Sequence, residues 1–220
     1  MQFGPSMAKW QTINLFTEIG WNEWIELHRL AFSDKLPRNS ESRAISIAIK
    51  LLKKHAPHVK VLISYADGTQ CGDGTIYRAA GFVLTGINRN NSMWRMPDGE
   101  VCTNIIFDPG FQPNSGKNSM KAKYGKTGSE ASVSFLKRIG AQKLQGFQLR
   151  YIYFIDPAYR ARLTVPELPY SEIQARGASM YKGQKPRERG EIDNAPQSNA
   201  ETEGASPIRS LLQEVNNGTP

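Results

Sequence analysis

Residues 24–67 read WIELHRLAFSDKLPRNSESRAISIAIKLLKKHAPHVKVLISYAD, and the fold is decided in this stretch. From Trp24 to Phe32 the chain alternates, with Ile25, Leu27, Arg29 and Ala31 on one side and Trp24, Glu26, His28, Leu30 and Phe32 on the other. That period predicts a strand. Pro37 disfavours helix just before it, Asn39 or Ser40 can cap, and Glu41 suits the positive end of a helix dipole, so a helix is predicted to start here. In its body Ile45, Ala48, Ile49 and Leu52 recur at helical spacing, Lys53, Lys54 and His55 fall in the last turn, and Pro57 ends it. Val59 to Tyr65 is short, apolar and rich in β-branched residues, the pattern of a buried strand. Strand, helix and strand make one βαβ unit.

Downstream, Asp67 to Gly74 (DGTQCGDG) is too rich in Gly and Asp for regular structure and predicts a loop leaving the C-terminal end of the strand. Thr75 to Ala80 is a short helix candidate capped by Gly81, Phe82 to Ile87 a further strand, and Met93 to Ile106 a hairpin turning at Pro97-Asp98-Gly99. The stretch after Pro109 is rich in Gly, Asn, Ser and Lys. It predicts a flexible basic loop over residues 115–128, carrying Lys117, Lys121, Lys123 and Lys126. Ser129 to Ile139 reads as a helix and Leu149 to Ile155 as a strand. From Ser171 the composition turns polar and rich in Gly, Pro and Glu. One domain over residues 1–170 and a disordered tail over 171–220 are therefore expected.

The net charge of +8 is unevenly distributed. Residues 1–107 hold 12 Lys and Arg against 9 Asp and Glu, residues 108–190 hold 15 against 6, and residues 191–220 hold 1 against 5. A basic middle section suits contact with nucleic-acid phosphate, although many soluble proteins carry such an excess for no binding purpose. No stretch has the apolar length of a membrane span. Cys71 and Cys102 read as ordinary thiols, and neither they nor His28, His55 and His58 show metal-ligand spacing.

Three residues stand out as candidate chemistry. Arg29 shares a strand face with Ile25 and Leu27, and a guanidinium on an inward face needs an acidic or phosphate partner, for which Asp67 at the end of the neighbouring strand is the candidate. Tyr77 follows a Gly-rich loop, where a phenol can give a proton to a leaving group or bind a ligand. Asn39, Ser40, Glu41 and Ser42 lie where helix N-termini bind anions, although every helix needs such a cap.

The segments ESRAISIAIKLLKK, VLISYAD and GTIYRAAGFVLTG resemble the cofactor-binding half of the GNAT acyltransferase fold, with LPRNSES where that fold has a glycine-rich loop. More specifically, LHRLAFSDKLPRNSESR, SYADGTQCGDGTIYRAAGFVLTG and FQLRYIYFID are similar to the Mom group of phage DNA-modification proteins across residues 1–170. The resemblance implies an α/β fold, a GNAT-like mixed sheet flanked by helices. It also implies transfer of a carbamoylmethyl group to the N6 amine of adenine, protecting phage DNA from restriction in the host cytoplasm. It places the active site on Arg29, Asp67 and Tyr77 and the ligand loop on Asn39, Ser40, Glu41 and Ser42, and it makes double-stranded DNA the partner, faced by the loop that carries Lys117, Lys121, Lys123 and Lys126. The donor is open between acyl-CoA and an aminoacyl group carried on tRNA, and iron is the metal the family suggests.

Family members begin with further strands and helices that include a His-Tyr element. No His-Tyr pair occurs in this sequence, so an N-terminally incomplete domain is expected, completed by another polypeptide or by self-association. A conventional N-acetyltransferase and a non-catalytic DNA-binding remnant are the two alternatives.

Overall fold

The computed structural model describes residues 1–6, 9–33, 35–110, 119–181 and 184 of the chain. In chain order the elements are β1 (Gln2–Gly4), α1 (Lys9–Ile13), β2 (Trp24–Arg29), α2 (Ser40–His55), β3 (Val61–Asp67), α3 (Thr75–Ala79), β4 (Val83–Asn90), β5 (Met93–Arg95), β6 (Val101–Thr103), α4 (Met120–Lys123), α5 (Ser132–Arg138), β7 (Gln142–Lys143), β8 (Gly146–Phe154) and α6 (Ser171–Ala175). Short 3-10 turns lie at Asn104–Phe107 and Pro157–Arg162.

The main sheet has the order β1-β2-β3-β8-β4. β2 and β3 run parallel, joined by α2 in the expected βαβ unit, while β1 pairs antiparallel with β2 and β8 antiparallel with both β3 and β4. The sheet is therefore mixed. β3 lies at its centre with Val61, Leu62, Ile63 and Ser64 wholly buried, because both sheet faces are covered along its first half. On one face α2 lays down Ile45, Ala48 and Ile49 against Leu27, Leu62, Phe82, Leu149 and Tyr151. On the other, Leu15, Phe16, Ile19 and Tyr159 cover Trp24, Val61, Ile63 and Ile152. Burial of these side chains removes apolar surface from water at ~25 cal/mol per Å², the main driving force for the fold. None of the described helices is long and apolar enough to cross a membrane.

A smaller sheet, β6-β5-β7, packs with α5 around Trp94, Met96, Phe107, Phe135 and Leu136. The hairpin turn before β6 needs a left-handed residue, and Gly99 supplies it at φ 87°.

This region corrects the expected flexible lysine loop. α4 is a formed helix within it, and its Ser119 side chain caps it by accepting from the Ala122 amide. Lys121 donates to the Asp108 carbonyl at 2.7 Å. Lys123 bridges Asp98 at 2.8 Å and Glu100 at 2.5 Å, and Lys126 is 7% exposed, donating to the Gly128 carbonyl near the Phe135 ring. Three of the four lysines are thus held by internal partners, and Lys117 lies outside the described residues, as do residues 115–118.

Lys123, Tyr124 and the Glu100 amide together hold the Asp98 carboxyl down from 3.8 to about 2. A depressed carboxylate contributes stability that is present above its unfolded pKa and is lost as the pH falls through its folded one. The hairpin tip is therefore expected to loosen as pH drops from about 4 to about 2. Asp98→Asn should abolish that step when the Tyr124 ring resonances are followed during acid titration. An identical titration in the mutant would show that the cluster contributes nothing.

The boundary of the tail is also corrected. Composition predicts disorder from Ser171 onward, yet α6 forms there and Ile173, Ala178 and Met180 are buried. Tyr170 donates its phenol to the Phe82 carbonyl, and the backbone at Gly68 comes so close that an added Cβ would sit 2.9 Å from the Met180 Cβ. Beyond Tyr181 the tail lies outside the described residues apart from 184.

Candidate functional site

Pairing between β2 and β3 ends at Leu27 and Ser64, although β2 continues to Arg29 and β3 to Asp67. The two strands part there like a fork. Ser64, fully buried, closes its base by donating from Oγ to the Leu27 carbonyl at 3.0 Å. Into the opening runs a cavity of about 870 Å³. Its walls are the end of β2 from His28 to Ala31, Glu41 in the first turn of α2, residues 70–77 of the loop and α3, and Ser179 to Tyr181 beyond α6.

Tyr77 reaches this cavity from α3. The helix begins after Gly74, which lies at φ 81° so close to Tyr151 that a Cβ would meet the ring at 2.3 Å. The Tyr151 hydroxyl donates to the Asp73 carbonyl, fixing the loop where it enters the helix. Tyr77 is 7% exposed, packed between Phe82 and Tyr151 at centroid distances of 5.5 and 5.3 Å. Burial raises its pKa, and the neighbouring Ser64 hydroxyl opposes that shift in part. The phenol accordingly stays protonated at neutral pH, as a proton donor requires. Asp73 is engaged through Oδ1, which accepts from Thr75 Oγ1 and bridges Arg78 at 3.0 Å.

Arg29 lines the same cavity but not as expected. It is exposed at the end of β2, and it forms no ion pair with Asp67 or with any other described acid. The alternation that placed it inward holds only as far as Leu27, since beyond the fork that sheet face opens to the cavity. Asp67 points to the opposite face. Its Oδ1 accepts from the Thr69 amide at 2.9 Å and the Thr69 hydroxyl at 2.6 Å, and its Oδ2 accepts from Asn90 Nδ2 at 2.9 Å. With its backbone carbonyl taking the amides of Gln70 and Cys71, Asp67 organises the loop and is not among the lining residues. The structure therefore brings Arg29 and Tyr77 to one cavity and leaves the Asp67 side chain behind its wall.

At the start of α2 the expected capping is replaced by a different arrangement. Asn39 is left-handed at φ 69° and makes no side-chain cap, while Ser40 donates to the Pro37 carbonyl at 2.6 Å and Ser42 to the Asn39 carbonyl at 3.1 Å. Of these four residues only Glu41 lines the cavity. A carboxylate beside the helix N-terminus repels a pyrophosphate, so the residues present do not fit that part of an acyl-CoA. Among the described residues no three His, Cys, Asp or Glu side chains are grouped to hold a metal, and the residues therefore offer iron no ligand set.

Two contributors went unread in the sequence. The segment Ser179 to Tyr181 walls the cavity although it lies in a polar, Gly-containing stretch, and Cys71 lines it from the loop, exposed and outside any disulfide.

Comparison with known proteins bears on the whole of this architecture. Residues 1–172 match the Mom protein family. The chain is also 32% identical over 141 residues to the protein described as methylcarbamoylase mom of Escherichia phage Mu, an alignment covering 64% of this chain and 52% of the phage Mu protein. It thus spans about half the length of that relative. The fork, the Tyr77 helix and every wall of the cavity except Ser179 to Tyr181 fall inside the family match, and the chain belongs to the Mom protein family.

Proposed function

We propose that this protein modifies phage DNA, transferring a carbamoylmethyl group to the N6 amine of adenine with the forked-strand cavity as its active site. The observation that carries the reading is the convergence on one cavity of a buried, protonated phenol, Tyr77, and a guanidinium with no ion pair to a described acid, Arg29, both inside the segment that matches the family. The similarity to a methylcarbamoylase supplies the reaction class. In the proposed step N6 forms a bond to the transferred carbon and gives up one proton, while the bond from that carbon to the leaving group breaks. Tyr77 supplies a proton to the departing group, and Arg29 stabilises negative charge that develops there. Asp67 acts as a positioning residue, holding the loop that carries the chain into α3. An acyl or aminoacyl donor opened at its carbonyl leaves an amide on N6, so with such a donor the step balances only for a glycyl group, whose N6 amide is an isomer of the carbamoylmethyl product and must rearrange to it after transfer.

Phage DNA made with the gene present and with it deleted, digested to nucleosides and weighed, tests the reading. Adenosine carrying the mass of a carbamoylmethyl group only when the gene is present is the expected result. Unmodified adenine in both samples would overturn it, and an acetylated protein or small amine in its place would assign a conventional acetyltransferase.

A further inference from the structure

On the sheet face opposite the Tyr77 side of the cavity, the lower half is apolar and the upper half is not. Reading across at the level of the fork, Tyr65 on β3 stands opposite Arg150 on β8, and Arg150 opposite Gly86 on β4. Arg150 is half-buried, and burial lowers its pKa, yet it forms no ion pair with any described acid. The nearest acids on this face are otherwise disposed. Asp67 is committed to Thr69 and Asn90, and Glu26 faces Tyr65.

The strand next to Arg150 is shaped around it. β4 carries a bulge between Leu84 and Gly86, which turns the Thr85 carbonyl out of the ladder. Arg150 Nη2 donates to that carbonyl at 2.7 Å and Nε donates to Thr85 Oγ1 at 3.0 Å. Gly86 leaves the space the guanidinium fills, for a Cβ there would stand 3.2 Å from Nη2. A guanidinium has five N–H donors, and these bonds use two, so three remain. A positive charge desolvated without a carboxylate is costly unless an anion arrives to pair with it. A fork pinned along one edge also presents its other edge in fixed geometry, which suits the planar, bidentate recognition of phosphate.

We infer that Arg150, pinned by the Thr85 bulge over Gly86, is an anion subsite that takes a backbone phosphate of the DNA strand being modified. This rests on the DNA-modification reading for the identity of the strand. Tyr65 lines the cavity and is the cross-strand neighbour of Arg150, so the subsite lies one strand from the fork, on the sheet face opposite Tyr77. The held lysines of the α4 region leave room for such a contact elsewhere on the surface.

The test is binding of the full chain to a short DNA duplex over a range of salt concentrations. Each phosphate contact contributes about 0.9 to the slope of log affinity against log salt, so Arg150→Gln should flatten the slope by about 0.9 and Arg150→Lys should retain it at lower affinity. Gly86→Ala, a milder change that crowds the guanidinium, should lower affinity with little change of slope. It keeps the test valid if the Gln variant does not fold. In parallel, the Arg150 Nε–H resonance of the parent should shift on titration with inorganic phosphate. No shift overturns the anion subsite. A shift with an unchanged DNA slope in a folded Arg150→Gln overturns the assignment to the DNA backbone. A parent that binds no duplex, with Arg150 still answering phosphate, rejects the DNA-modification reading while the subsite stands.

Discussion

Alanine at position 74 will destabilise the protein by about 2–5 kcal/mol, the sum of ~1–2 for a side chain forced into the left-handed region and ~1–3 for overpacking a filled core. Gly74 lies at φ 81°, and its Cβ would meet Tyr151 at 2.3 Å from Cε2, 2.7 Å from Cζ and 2.9 Å from the hydroxyl. The ring has no way out, because Tyr151 is wholly buried in the interior strand β8, packed on Tyr77 and bonded to the Asp73 carbonyl. Against a total stability of roughly 5–15 kcal/mol this is a large share. At ~2–4 °C per kcal/mol for a chain of this size, the melting temperature should fall by about 4–20 °C. Gly99 is the control. It has φ 87° but nothing within 4 Å of its would-be Cβ, so Gly99→Ala bears the backbone strain alone. Equal melting temperatures for the two variants would mean that Tyr151 yields and that the cavity wall is softer than its packing implies.

Tyr77→Phe is expected to leave the protein folded and to lower adenine modification by about 10²–10⁴, the range for removing a positioned general acid. Phenylalanine keeps the ring packed between Phe82 and Tyr151. What is lost is the hydroxyl beside Ser64, worth about 0.5–1.5 kcal/mol to stability. The two effects separate cleanly, because a melt reports the small one and the mass of adenine nucleosides from cells reports the large one. Full modification by a folded Tyr77→Phe would remove the phenol from the chemistry and shift attention to Arg29 and the loop.

Much of the fold is legible in residues 24–67, because a period near two gives way to one near 3.6 and then to a short apolar run. The fork is not legible there. Nothing in WIELHR announces that pairing stops at Leu27, so Arg29 reads as inward when it stands at an opening. Alternation also misleads where both faces of a sheet are covered, since Trp24 and Leu27 are both buried on opposite sides. Tyr77 is readable because a Gly-rich loop, a short helix and Gly81 bracket it. Asp67 reads as a partner for Arg29 because its actual partners, Thr69 and Asn90, are set by how the loop folds back toward β4. The lysines of the α4 region look solvated until the hairpin turn brings Asp98 and Glu100 to Lys123. Ile173 and Met180 give too weak an apolar signal to predict order beyond Ser171. Arg150 is hidden inside LRYIYF, a run whose apolar character drowns its one charge, and only the bulge at Thr85 on another strand reveals it.

The place of β8 between β3 and β4 has a consequence for how the chain is made. Translation delivers β3 and β4 early, yet neither can pair along the edge they will finally share until β8 emerges, when Asp67 meets Gln148 and Val61 meets Phe154. Until then β3, paired with β2 on one side, keeps its other edge bare, and β4 keeps bare the edge that will meet β8, the condition under which nascent chains stick to one another. Native pairing must also close long loops, which slows its assembly. Completion of the main sheet thus waits on β8, the last of its described strands to be made.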